Sequence, residues 1–235
     1  MDQVIKYYFN TEILADTVPQ LLRALVVVAE ILFFALLFSF VGGLILALLR
    51  ISRIRVFRWL AGIYIDLFRG LPLLLVLTYI YYGLALVGSE AGLDFLILDP
   101  IPAAVLAITL TYSAYSAEIF RAGIGSIPHG QMEAARSLGM TNTQSMRYIV
   151  LPQAIRVVVP PLTNELIAMI KDTALASVIT VPEVLQKSRE IMGRVANPTP
   201  LTAAAIAYLI FTLPLIRVAS RLEKRFGKGT RPIGM

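Results

Sequence analysis

The sequence predicts an all-α integral membrane protein with about five transmembrane helices, and three observations carry that prediction. Hydrophobic residues make up 57% of the chain against the roughly 45–50% of a soluble domain. Charged residues make up only 15%, against roughly 25%, and they gather between apolar stretches. Five of those stretches reach the length of about 20 residues that a helix needs to cross a bilayer. Mean hydropathy is +0.76. A spanning segment must satisfy its backbone internally, which a helix does and an isolated strand does not. None of the five has the alternating pattern of a barrel strand.

The expected spans are Leu22–Leu49, Leu60–Val87, Ala103–Ile124, Val157–Val181 and Leu201–Ala219, within a single transmembrane domain over 1–235. The stretch before the first span carries Asp2, Lys6, Glu12 and Asp16. That is unlike the basic start of a cleavable signal peptide, so the first apolar segment is expected to stay. Basic residues are retained on the cytoplasmic side of a membrane and therefore report orientation. One set of loops holds Arg50, Arg53, Arg55 and Arg58, then Arg121, Arg136, Arg147 and Arg156, then Arg217, Arg221, Lys224, Arg225, Lys228 and Arg231. The opposite set holds Lys6, Lys187, Arg189 and Arg194, and the loop Gly88–Pro100 carries Glu90, Asp94 and Asp99 with no basic residue. The amino terminus is thus expected outside and the carboxyl terminus in the cytoplasm, which agrees with an odd number of spans.

Composition also excludes chemistry. There is no cysteine and one histidine, His129, so thiolate metal sites, disulfides and histidine clusters are ruled out. The net charge of +6 lies beside apolar spans, where membrane orientation accounts for it better than nucleic acid does. No GxxxxGK[ST] pattern is present, so the chain is not expected to hydrolyse ATP. No HExxH or GxSxG motif supports an intramembrane enzyme.

The longest polar interruption, 126–156, is expected to face the cytoplasm and to meet a partner. Pro128 is placed to start a helix and Gly139 to stop it, with a second helix from about Asn142 to Val150 that Pro152 ends or kinks. Glu133, Ala134, Ala135, Gly139, Ile149, Leu151 and Pro152 fall at the spacing EAA-x3-G-x9-I-x-L-P. The alanines permit close approach to a partner surface. Glu133 and Arg136, three apart, either pair on one helix face, contact the partner, or merely solvate the surface.

This spacing resembles the "EAA" loop of permease subunits of ATP-binding-cassette importers. The run Tyr112–Gly123, then Ile127-Pro128-x-Gly130-Gln131, Lys171–Leu175 and Phe68–Leu74 narrow the resemblance to the polar amino-acid group that carries histidine, arginine, glutamine and glutamate. It covers roughly residues 20 to 220, with Leu71 a departure where the group usually has threonine. The resemblance implies the type I importer permease fold in a bacterial cytoplasmic membrane. It implies a partner ATPase that binds ATP and Mg and docks on Glu133, Ala134, Ala135, Arg136 and Gly139, with no cofactor in this chain. It further implies a second permease copy or paralogue and an extracytoplasmic amino-acid-binding protein.

Charged residues at membrane depth are costly and default to function. Glu30, Asp66, Arg69, Glu165, Lys171 and Asp172 lie within the expected spans. Asp66 with Arg69, and Lys171 with Asp172, would neutralise each other in the plainest reading. Gly70 and Pro72 interrupt the second span, where exposed backbone can line a cavity. In some members of the group a carboxylate at the position of Glu165 faces a cationic substrate. The resemblance therefore gives Glu165, Asn164 and Asp66 as candidate substrate-binding residues, the interrupted span adds Gly70 and Pro72, and charge at membrane depth adds Lys171 and Asp172; an acidic cavity would favour arginine, lysine or histidine. A carrier driven by an ion gradient would also use buried carboxylates, but the inverted repeats usual in such folds are missing. Glu30 takes no assigned role, and Glu118 with Arg121 is read as a pair that anchors the end of the third span.

Overall fold

The computed structural model describes residues 7–226, and among them only helices and turns occur. The expected orientation charges Lys6, Lys228 and Arg231, and Asp2, lie outside the described residues. Among the described residues four helical stretches are long and apolar enough to cross a membrane: Thr11–Arg50, Leu73–Ala91, Pro100–Gly125 and Thr199–Phe226.

Helix α1, Thr11–Arg50, has 40 residues. At 1.5 Å per residue it is about 60 Å long, roughly twice the hydrocarbon thickness, so its polar first turns extend beyond the apolar stretch. Asn10 caps it by accepting from the backbone N–H of Glu12 at 3.0 Å and Ile13 at 3.2 Å. Ala35, Ser39, Gly43 and Ala47 recur every four residues on its buried face. This stripe of small side chains packs on α5, Pro100–Gly125. A Cβ at Gly43 would lie 2.6 Å from Ser116 Cβ, which shows how closely the two backbones approach. Close helix contact through small residues is the usual solution where lipid removes the hydrophobic drive between helices.

The expected second span, Leu60–Val87, is instead two helices. Helix α2, Arg55–Gly70, ends at an extended Leu71 (φ −92°, ψ 138°). Pro72 (φ −61°, ψ 133°) then starts α3, Leu73–Thr78. Proline disfavours helical geometry in the residue before it, which explains the break at Leu71. A wide π turn, Tyr79–Gly83, joins α3 to α4, Leu84–Ala91.

Helix α5 is the centre of the bundle. Ala103, Ala104, Ala107, Ile108 and Tyr112 pack there with Ile31, Leu77, Met169 and Ile179 from four other segments. After it come α6, His129–Ser137, and α7, Asn142–Ser145. A second π turn, Met146–Val150, runs directly into α8, Leu151–Asp172. The expected span Val157–Val181 is thus α8 followed by a 3₁₀ segment, Thr173–Ile179. Arg156, Glu165, Lys171 and Asp172 together with Pro152, Pro160 and Pro161 make α8 the least uniformly apolar of the long helices. Helices α9, Val184–Val195, and α10, Thr199–Phe226, complete the described residues. The fully buried Glu183 caps α9 through the N–H groups of Leu185 (2.8 Å) and Gln186 (2.6 Å) and accepts from the Tyr208 hydroxyl of α10 (2.8 Å).

Candidate docking segment and membrane cavity

The segment after α5 folds as a compact helix–turn–helix. Helix α6 begins directly after Pro128 and ends at Ser137, two residues before Gly139, which adopts φ +83°. The Gly139 N–H donates to Arg136 O at 2.9 Å and the Met140 N–H to Ala135 O at 3.2 Å. These two bonds form a Schellman cap, which requires the left-handed conformation that glycine adopts without steric cost. Thr141 opens α7 with a reciprocal capping box: its hydroxyl accepts from Gln144 N–H, and its own N–H donates to the Gln144 side chain at 2.8 Å.

Three expectations are narrowed here. Ala135 is buried against the chain itself, whereas Ala134, Glu133 and Arg136 are exposed. Only one of the paired alanines therefore offers its side chain to another surface. The ion pairs among the described residues are Arg121 with Glu118 and Lys187 with Glu190, so Glu133 and Arg136 do not pair. Pro152 does not end the second helix. The π turn Met146–Val150 widens the backbone just ahead of the ring, and the helix continues into α8. Beside the glycine turn Leu138 is 84% exposed, and Tyr148 is also largely exposed.

The second constellation lies between α5 and α8. Glu165 and Asp172 are seven residues apart, two helical turns, and so share one face of α8. Facing them on α5 are Ser116 and Tyr112, one turn apart. Ser116 Oγ donates to Glu165 at 3.0 and 3.1 Å from its two carboxylate oxygens, and Tyr112 OH donates to Asp172 Oδ2 at 2.8 Å. Both acids border a cavity of about 540 Å³, together with Arg69, Leu71, Pro72, Thr111, Tyr115 and Glu118. The Arg69 guanidinium sits 5.7 Å from the centre of the Tyr115 ring, stacked over its face. Thr111 carries a buried hydroxyl with no hydrogen-bond partner. On its other side Glu165 borders an apolar cavity of about 480 Å³ walled by Phe33, Phe40, Leu162 and Met169.

The structure gathers some of the expected substrate-binding residues and disperses others. Glu165, Asp172 and Pro72 meet at the cavity. Asn164 points away, on the exposed side of α8, where its amide donates to Glu223 of α10 at 2.8 Å. The adjacent position on a helix is turned by about 100°, so Asn164 and Glu165 do not face the same way. Lys171 is exposed and does not pair with Asp172, and it lies outside the cavity lining for the same reason. Gly70 is not in the lining either, and nothing stands within 4 Å of where its Cβ would be. Asp66 does not pair with Arg69 and borders a separate cavity of about 530 Å³ with Arg50, Arg69, Glu118 and Arg121. Glu30 borders another cavity with Asp99, Phe34 and Phe38, far along α1 from these groups.

Sequence reasoning missed Tyr112, Ser116, Thr111 and Tyr115, and it gave Arg69 only a neutralising role. The signal was available. Tyr112, Tyr115 and Ser116 fall within the run that carried the resemblance, and Arg69 directly precedes the helix break.

Long apolar helices with charged and hydroxylic side chains facing one another between them have the build of a membrane-embedded protein. The chain belongs to the family of binding-protein-dependent transport system inner membrane components, whose model matches residues 39–228. It is an amino-acid ABC transporter permease. It is 39% identical over 189 residues to the probable amino-acid ABC transporter permease protein YckA of Bacillus subtilis (strain 168), a match covering 80% of each chain. It is 37% identical over 195 residues to the probable glutamine ABC transporter permease protein GlnM of the same organism, covering 83% of this chain and 87% of that one. Among solved structures it is similar to an amino acid ABC transporter crystallised with histidines, with a TM-score of 0.82, 35% identity, and coverage of 90% and 96%. An inward-facing methionine ABC transporter shares the fold at a TM-score of 0.67 and 19% identity, covering 93% of this chain and 99% of that one.

Proposed function

We propose that this permease carries basic L-amino acids inward, taking them up in the cavity between α5 and α8. The observation that carries the reading is the pair Glu165 and Asp172 on one face of α8 with a single arginine, Arg69, across the cavity. An α-amino acid brings one carboxylate and one ammonium, and a basic one adds a second cation. Arg69 suits the carboxylate, with the unpartnered Thr111 hydroxyl as a further donor. Two carboxylates suit two cations. Leu71 and Pro72 add an apolar edge rather than a hydroxyl.

The chain works as one of two paired permeases, with its amino terminus outside and its carboxyl terminus in the cytoplasm, as the basic loops support. Cytoplasmic ATPases, which hold the ATP and Mg, dock on the segment around Glu133, Ala134, Arg136 and Gly139. An extracytoplasmic binding protein delivers the amino acid. Closure of the ATPases moves the two docking segments as rigid bodies and switches access to the cavity.

The test is uptake into liposomes containing the permease, its ATPase and its binding protein, with Glu165→Gln and Glu133→Lys variants. ATP-dependent arginine uptake is expected in the wild type. Glu165→Gln should weaken arginine uptake more than glutamine uptake, and Glu133→Lys should abolish both while the protein still inserts. Uptake that follows an imposed ion gradient without ATP would overturn the reading.

A further inference from the structure

The cavity that holds Glu165 and Asp172 has a neighbour. Arg50, Asp66, Arg69, Glu118 and Arg121 border the second space of about 530 Å³, at the end of the bundle from which the docking segment departs. Arg69 and Glu118 border both spaces. Within the lower one Arg121 is paired with Glu118. Asp66 has no ion-pair partner among the described residues, and the Arg50 guanidinium reaches a backbone oxygen, that of Arg58, at 3.1 Å. A free carboxylate and an arginine bonded only to a carbonyl therefore remain in a concave site that shares its upper wall with the first cavity.

We infer that the lower cavity is a second amino-acid site, a release station that takes the zwitterion from the upper one. The inference rests on the substrate reading of the upper cavity. The carboxylate passes from Arg69 to Arg50 while Arg69 still touches it, and the ammonium passes from Glu165 to Glu118 and then Asp66. Because Arg69 and Glu118 serve both sites, the ligand is never stripped of opposite charge on its way out. Releasing an ion at membrane depth without such partners is strongly unfavourable.

The experiment is equilibrium binding of radiolabelled L-arginine, up to millimolar concentration, to the permease–ATPase complex in nanodiscs, freed of binding protein and without ATP. Two arginines per permease chain are expected in the wild type. Asp66→Asn should lose one and leave the affinity of the other within about twofold, and Glu165→Gln should lose the other. Asp66 is exposed, so its conservative variant should elute as the same monodisperse complex. One arginine per chain, lost with Glu165→Gln and unaffected by Asp66→Asn or Asp66→Lys, would overturn the second site and leave the upper one standing. Binding indifferent to Glu165→Gln would overturn the substrate reading itself.

Discussion

Replacing Gly139 by alanine should uncouple transport from ATP hydrolysis for a reason confined to the backbone. Gly139 sits at φ +83°, and nothing lies within 4 Å of the position its Cβ would take. Alanine therefore meets no clash within the chain, and its cost is the left-handed conformation itself, roughly 1–2 kcal/mol. That cost lowers the fraction of docking segments holding the capped turn by roughly 5–30-fold relative to open forms. Asparagine tolerates the same conformation far better although it is larger. In liposomes with ATPase and binding protein, amino acid moved per ATP hydrolysed should follow the order glycine, asparagine, alanine. The opposite order of the two variants would refute the argument, since crowding against a docked partner penalises the larger side chain. Alanine at wild-type coupling would refute it too.

Two further outcomes follow from the contacts around Glu165 and Asp172. Gly43→Ala places a Cβ 2.6 Å from Ser116 Cβ, so thermal unfolding in detergent should show a loss of about 1–3 kcal/mol from overpacking. Arginine uptake should weaken with it, because Ser116 is the side chain that holds Glu165. Tyr112→Phe removes the hydroxyl donated to Asp172, a loss of roughly 1.5–3 kcal/mol for a bond to a charged group. Combined with Asp172→Asn it should cost less than the two single changes added, and full additivity would show that the two side chains act independently.

The parts of this molecule that were legible in the sequence are those set by local chemistry. The apolar segments declare helices because lipid leaves the backbone no other means of satisfying itself. Gly139 declares a helix end because the cap needs its positive φ. The seven spaced residues from Glu133 to Pro152 declared the family. What could not be read locally was which way a side chain points once helices pack. Asn164 and Glu165 are neighbours in sequence and part company on the helix surface. Asp66 and Arg69 look like a pair at helical spacing and instead border a cavity without pairing. Ala134 and Ala135 look equivalent until the fold buries one. The break at Leu71 was visible as Gly70 and Pro72, but averaging hydropathy over twenty residues ran the two helices together.

The wide turn Met146–Val150 gives α8 a property that a plain helix lacks. From Val150 to Glu165 the chain is unbroken helix, about 22 Å at 1.5 Å per residue. Pro160 and Pro161 have no N–H to give to the preceding turn, so this helical stretch carries two missing rungs on the way to Glu165. The π turn holds one residue more than an α turn would, a small reserve of slack at the root of the shaft. Taking up that slack would twist everything beyond it by about 100°. Such torque would swing Glu165 out of register with Ser116 without the helix having to bend or melt.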